Sequence, residues 1–314
     1  MISYLSKAEG ELKEQQSLEA SVWINVFPPF EHGELDKLSA KLNIPLDFLT
    51  DSLDVDERSR YEKEDDITFI LINSPILNEE GKDSEAIYIT IPIGIILAND
   101  HIITVSSDEN PVLDKFYENK VKNFDPADRN MFVLQIFEQN VYRFLECLKK
   151  LNLKRNLVEQ ELYNSSRSSE LKQLLRIEKS LVYFVSSLSS NELVKMKIKR
   201  TDVLKIGNDE LYADLFEDII IDNSQALEMS NVYTNILSGT MEAYASIISN
   251  NLNVIIHKLT IVTIILLVPS MVAGFYGMNL EYLPFRNFKM AFPLIILISI
   301  LLGFFVVYYF SRKK

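Results

Sequence analysis

The sequence predicts an α/β domain on the cytoplasmic side, followed by long α-helices and a two-helix transmembrane hairpin. Three observations predict it: charge-free apolar runs at residues 259–280 and 290–311, a change from strand-like to helical periodicity near residue 125, and some 60 residues without a strong helix stop that lead into the first apolar run. About 20 apolar residues cross the hydrocarbon core of a bilayer at 1.5 Å per residue, so each run is long enough to span it.

The chain has 314 residues, 47% of them hydrophobic, with 32 Lys plus Arg against 44 Asp plus Glu and a net charge of −12. An acidic balance disfavours non-specific nucleic-acid binding, which needs cationic surface, and suits metal cations or basic partners. One cysteine, Cys147, leaves no intramolecular disulfide and no Cys-based structural zinc site. His32, His101 and His257 are too scattered to suggest a His-cluster metal site. Residues 1–17 are charged and polar, so neither a secretory signal nor a transit peptide is expected.

Residues 1–124 read as the α/β unit. Strands are expected at 20–26 and 67–73, rich in β-branched and aromatic residues, and at 87–90 and 93–98 with Pro92 as a break between them. Asn99-Asp100 turns the chain into a strand at 102–105. Helices fit 35–42 and 45–53, the second with Pro45 near its first turn. No glycine cluster forms a phosphate-binding loop. A helical region is expected over 125–204, opened by Asp125-Pro126. Phe137, Val141, Phe144, Leu148 and Leu151 give it a heptad-like seam. A second helix is expected at 170–188, after the Ser-rich stretch 165–169. Residues 205–258 form the part of one long helix that precedes the bilayer, which it enters as the first span, 259–278. A loop at 279–289 and a second span at 290–311 follow, then a basic tail at 312–314.

Lys258, Arg312, Lys313 and Lys314 flank the spans on one side, against Arg286, Lys289 and Glu281 in the loop. Two spans put both termini on one side. With the acidic domain unsignalled for export, both termini are expected in the cytoplasm and the loop outside, in a multi-pass protein of the cell membrane.

Two spans from one chain cannot surround an aqueous path, so transport requires several copies around an axis. Along the first span, polar or small residues recur at Asn253, Thr260, Thr263, Ser270 and Gly274, on one helical face, with Ile256, Leu259 and Leu267 between them. A ring of such faces would alternate polar collars with apolar constrictions that gate by dewetting. The same small residues also suit close helix packing, and spacing alone does not separate the two readings. Tyr276-Gly277-Met278-Asn279 follows the span. Gly277 permits a helix-ending conformation. Asn279 offers an amide oxygen to water around an ion, which matters for magnesium because that ion sheds its hydration shell reluctantly.

With the Gly277-Met278-Asn279 tripeptide after the first of two C-terminal spans, the sequence resembles the CorA family of magnesium transporters. The resemblance extends to Tyr276, to Glu281-Tyr282-Leu283-Pro284, to the Arg312-Lys313-Lys314 end, to Trp23-Ile24-Asn25-Val26, to Leu53-Asp54 with Arg58, and to Ile102-Ile103-Thr104-Val105. It implies a homopentameric funnel whose long helix lines the pore. Gly277, Met278 and Asn279 would form the selectivity filter. Asn253, Ile256, Leu259, Thr263, Leu267, Ser270 and Gly274 would line the pore, and Glu242 would form an acidic ring at its cytoplasmic mouth. Asp51 and Asp218 would hold a regulatory cation between neighbouring subunits, with Mg2+ as both cargo and regulator and Co2+ as a second cation.

Asp214, Asp218 and Asp222 share one helix face, which by composition alone reads as a solvated charge run. Ile256 and Leu267 stand where relatives carry methionines, and Phe285-Arg286 where many place a carboxylate. Some relatives carry cobalt, nickel or zinc, and the intact Met278 favours magnesium. Two other classes compete: a membrane-anchored enzyme, against which the lack of a nucleophile or phosphate-loop motif argues, and a non-conducting metal sensor anchored by the spans.

Overall fold

The computed structural model describes residues 1–8, 10–15, 18, 22–30, 33–79, 85–164, 168–278, 284 and 289–312. Several expectations fall outside these residues: His32, the serines at 165 and 166, Asn279, residues 281–283, Phe285, Arg286, Lys313 and Lys314. The chain divides into two units, Met1–Met241 and Glu242–Lys314.

The first unit is built on a seven-stranded sheet. Its strands are β1 (Ile2–Ala8), β2 (Glu11–Glu14), β3 (Trp23–Val26), β4 (Arg60–Glu64), β5 (Ile67–Leu77), β6 (Tyr88–Ala98) and β7 (His101–Ser106), in the order β2-β1-β3-β7-β6-β5-β4. β3 and β7 run parallel, and the other neighbours are antiparallel. Asn99 adopts a left-handed conformation (φ 51°) in the two-residue turn that joins β6 to β7, which pair through Ala98 and His101.

Side chains alternate across the sheet, and both faces are covered. Trp23, Ile70, Ile72, Ile93, Ile95 and Ile102 point to one face, where they meet Phe132 and Phe137 of α4 (Arg129–Asn164) and Val194 and Ile198 of α5 (Ser168–Thr201). Phe216 and Ile219 of α6 (Glu210–Tyr276) join the same core, as do Val112 and Phe116 of α3 (Pro111–Tyr117). Ile24, Val26, Phe69, Leu71, Ile96 and Ile103 point the other way, onto Leu38 and Leu42 of α1 (Glu34–Leu42) and Phe48 and Leu49 of α2 (Leu46–Thr50). Burial on both sides explains why the central strands read as continuous apolar runs. Trp23 anchors the larger core: its ring meets Phe132 edge-on at 5.1 Å, and its Nε1 donates to Thr104 Oγ1 at 2.8 Å.

Several elements depart from expectation. β1, β2 and β4 were not anticipated. β6 is one strand rather than two, because Pro92 lies inside it opposite Asn73. The main chain of Asn73 is satisfied by side chains from the long helices: its N–H donates to Asn191 Oδ1 at 2.9 Å, and its carbonyl accepts from Asn140 Nδ2 at 3.0 Å and Asn191 Nδ2 at 2.8 Å. α4 begins at Arg129, with Asp128 Oδ1 accepting from the Met131 N–H, so Asp128 caps it rather than Asp125. α5 is longer than expected at both ends. All five seam residues of α4 are buried, and Phe144 meets Phe184 of α5 edge-on at 5.2 Å.

The second unit contains the remainder of α6 and α7 (Ala291–Ser311). Not one residue in the most apolar stretch of α6 is buried within the chain, and only 11% of that in α7 is. A core helix of a soluble protein hides such a stretch. Ser299 and Gly303, four apart, are buried positions of α7, and small residues at such spacing permit close helix approach.

Candidate ion pathway

α6 is helical through residues 242–276 because Leu, Ile, Val and Ala dominate it, and the helix supplies its own backbone hydrogen bonds, as an apolar solvent requires. Three of its hydroxyls are satisfied within the helix as well. Thr260 Oγ1 donates to the Ile256 carbonyl at 2.9 Å, Thr263 Oγ1 to Leu259 at 2.8 Å and Ser270 Oγ to Leu266 at 2.8 Å. Each hydroxyl proton is thereby used, and the oxygen faces outward as an acceptor. Pro269 interrupts the backbone ladder one residue before Ser270, since it has no N–H for the Ile265 carbonyl.

Asn253, Ile256, Leu259, Thr263, Leu267, Ser270 and Gly274 are all exposed in the single chain, Leu259 at 65% and Leu267 at 60%. Among them the large apolar groups alternate with small or acceptor-bearing ones. Water molecules bound to a small divalent cation point their protons outward, so acceptor oxygens suit a hydrated ion.

α6 ends at Tyr276. Gly277 N donates to the Ala273 carbonyl at 2.9 Å and Met278 N to Phe275 at 3.3 Å, which closes the last turn. Gly277 does not take the left-handed conformation expected of a helix-ending glycine: the positive-φ glycines among the described residues are Gly10 and Gly33. A Cβ at Gly277 would lie 3.4 Å from the Ala273 carbonyl oxygen and 3.5 Å from that of Gly274. The Tyr276 hydroxyl donates to the Pro284 carbonyl at 3.0 Å, which ties the helix end to the segment beyond.

The acidic candidates are not members of this stripe. Glu242 is exposed on α6 at the start of the second unit. Asp218 and Asp222 sit near Tyr142 of α4: burial pushes the tyrosine hydroxyl's pKa up, and Glu138, Asp222 and Asp218 push it further. Asp51 opens a 3-10 turn, Asp51–Leu53, and is held by Arg60. Among the described residues of one chain, no group of three or more His, Cys, Asp or Glu is arranged to hold a metal ion.

The model of the CorA-like Mg2+ transporter protein family matches residues 19–313. The chain belongs to the CorA-like Mg2+ transporter family. It is 28% identical to the cobalt/magnesium transport protein CorA of Methanocaldococcus jannaschii over 93% of this chain and 90% of that one. It is 24% identical to the magnesium transport protein CorA of Escherichia coli strain K12 over 97% and 95%. The complete structure of the CorA magnesium transporter from Methanocaldococcus jannaschii superposes with a TM-score of 0.80 at 26% identity, covering 100% of this chain and 98% of that one. The architecture is that of CorA: an N-terminal α/β domain, long helices and two C-terminal apolar helices.

Sequence reasoning missed two charged side chains of this CorA-like chain. Lys195 of α5 is 1% exposed and donates from Nζ to Asn223 Oδ1 of α6 at 2.6 Å, while Asn223 Nδ2 donates to the Leu188 carbonyl. Burial pulls its pKa down to about 7. Lys195 continues the spacing of Leu181, Phe184, Leu188 and Asn191, all buried, and that seam was the available signal. Arg60, the second, left only a fainter trace: one of a few cations within an acid-rich stretch, two residues from Glu62 on the same side of a strand.

Proposed function

We propose that this chain is the protomer of a homopentameric channel in the cell membrane, with both termini cytoplasmic, which admits Mg2+ passively and closes when internal Mg2+ is plentiful. Co2+ is a second permeant cation in this reading, and the soluble unit performs no catalysis. The observation that carries the reading is the stripe of exposed acceptor oxygens and apolar side chains along residues 242–276 of α6, none of which is buried within the chain and which Gly277-Met278-Asn279 follows in the sequence.

Inward movement of a divalent ion is favoured by about 4.6 kcal/mol per 100 mV, twice the value for a single charge. Gly277, Met278 and Asn279 form the outer filter that receives the hydrated ion. Thr263 and Ser270, with Gly274 giving room, accept from its water shell along the axis. Asn253 continues that polar face inward, and Ile256, Leu259 and Leu267 form constrictions that exclude water when the helices close up. Glu242 gathers cations at the cytoplasmic mouth. Cations between Asp51 of one subunit and Asp218 of the next hold the closed state, and their loss leaves the acids to repel one another.

Asn279→Ala, assayed as Mg2+ uptake into a strain lacking its own transporters, should reduce uptake at least tenfold, the cost of about 1.4 kcal/mol of lost recognition. Undiminished uptake would remove the filter from this reading.

A further inference from the structure

Asp51 does not stand alone. The 3-10 turn that carries it lies against β6 at Gly94, where a Cβ would come within 1.9 Å of Ser52 Oγ. Nine residues on, at the start of β4, the Arg60 guanidinium reaches back to it. Nη2 is 2.5 Å from Asp51 Oδ2, Nη1 is 2.6 Å from Glu57 Oε1 and Nε is 2.5 Å from Glu62 Oε1. The same guanidinium lies over the Phe69 ring, 5.3 Å from its centroid, and Phe69 in turn stacks on Phe48 at 4.5 Å. Two kinds of contact therefore fix its position: an aromatic platform and three carboxylates around its edge.

The charge balance is the informative part. Three carboxylates and one guanidinium leave two negative charges, so the cluster still attracts cations while its one resident cation is covalently tethered. Arginine keeps its charge at all physiological pH values. Asp51 is one-third exposed and reachable from outside the chain. Any cation that binds Asp51 must therefore compete with a cation that cannot diffuse away.

We propose that Arg60 is the resting counter-ion of Asp51, that a divalent cation bridging Asp51 to the neighbouring subunit displaces it, and that this competition sets the Mg2+ concentration at which the channel closes. The inference rests on the reading of Asp51 as a regulatory ligand given above. If Arg60 is a competitor, removing it makes closure easier; if it merely orients Asp51, removing it makes closure harder. The sign of one measurement separates the two.

The test uses the full-length protein in proteoliposomes, with initial Mg2+ flux measured against Mg2+ on the cytoplasmic face for wild type, Arg60→Gln, Arg60→Lys and Asp51→Asn. Arg60→Gln should close at roughly three- to tenfold lower Mg2+, the scale of a partly exposed ion pair plus one removed positive charge. Arg60→Lys, which keeps the charge but lacks the fork, should shift the same way by less, and it serves as the informative variant should the glutamine form fold poorly. Asp51→Asn should close at higher Mg2+. An unchanged or raised threshold in both Arg60 variants, with Asp51→Asn shifted as expected, overturns the competitor role and leaves the Asp51 assignment standing. If Asp51→Asn leaves the threshold unmoved, both fall.

Discussion

Both units of this chain are rich in leucine and isoleucine, and they use them in opposite ways. In the first, Ile70, Ile72, Ile93 and Ile95 are 0% exposed between a sheet and helices. In the second, Leu259, Leu266 and Leu267 are each 60% exposed or more, on a helix with almost nothing around it. The residue types match; the surroundings do not. A core of the first kind draws stability from removing apolar surface from water and filling space. A helix of the second kind draws it from its own hydrogen bonds and from what lies outside the chain, lipid or other copies.

The comparison can be tested at several positions. Trp23→Ala should destabilise the first unit by about 3–5 kcal/mol, since it opens a cavity among Phe124 and Phe132 and removes the donor to the Thr104 oxygen, whose own proton still goes to Asn25 Oδ1. Thermal unfolding of the full-length protein in detergent measures this, and a loss below about 1 kcal/mol would mean that the sheet core is not packed around Trp23. Next in size is a matched pair of arginine substitutions at exposed leucines. Leu301 of α7 is 58% exposed and Leu77 at the end of β5 is 48% exposed. Leu301→Arg should cost about 2.5–3.5 kcal/mol in membrane insertion. Leu77→Arg should change stability by no more than about 0.5 kcal/mol. Equal effects on the membrane-bound fraction would erase the distinction between the units.

A further effect, at most about 1.4 kcal/mol for each pH unit, is a dependence on pH. Burial lowers the Lys195 pKa to about 7 from an ordinary 10.5. Between these values the unfolded chain binds the proton and the folded one does not, so folding grows more favourable as pH rises through that window and is insensitive to this group below it. The equilibrium should shift by up to about tenfold per pH unit from pH 7 upward. Lys195→Met should lose that slope, measured as unfolding midpoints from pH 7 to 9. A methionine variant with the wild-type slope would place the titration elsewhere. Glu192 on the same helix supplies the charge that raises the lysine's pKa.

What the sequence disclosed follows the same division. The buried strands were legible because both faces are covered, which leaves runs such as Phe69–Ile72 without a polar interruption. β4 was not, because only Tyr61 of Arg60–Glu64 is buried, as suits a charged edge strand. Pro92 misled because a proline normally ends a strand, and three asparagines distant in sequence make it tolerable. The two apolar helices were legible from their length and the absence of charge. The surroundings of Asp51 were hidden, because strand register and an aromatic platform, rather than neighbouring sequence, bring Arg60 to it. α6 stops at Tyr276, one residue before Gly277, and the glycine there has no positive φ.

The asparagine arrangement opposite Pro92 bears on how the first unit comes together. Asn191 lies 118 residues from Asn73 along the chain and Asn140 lies 67. Peeling α5 away leaves the Asn73 N–H without its partner in a dry interior, at about 1–3 kcal/mol, and peeling α4 away removes one of the two donors to its carbonyl. Sheet and helices therefore melt as a single cooperative block, and a newly made chain has no finished sheet until residue 191 has been synthesised.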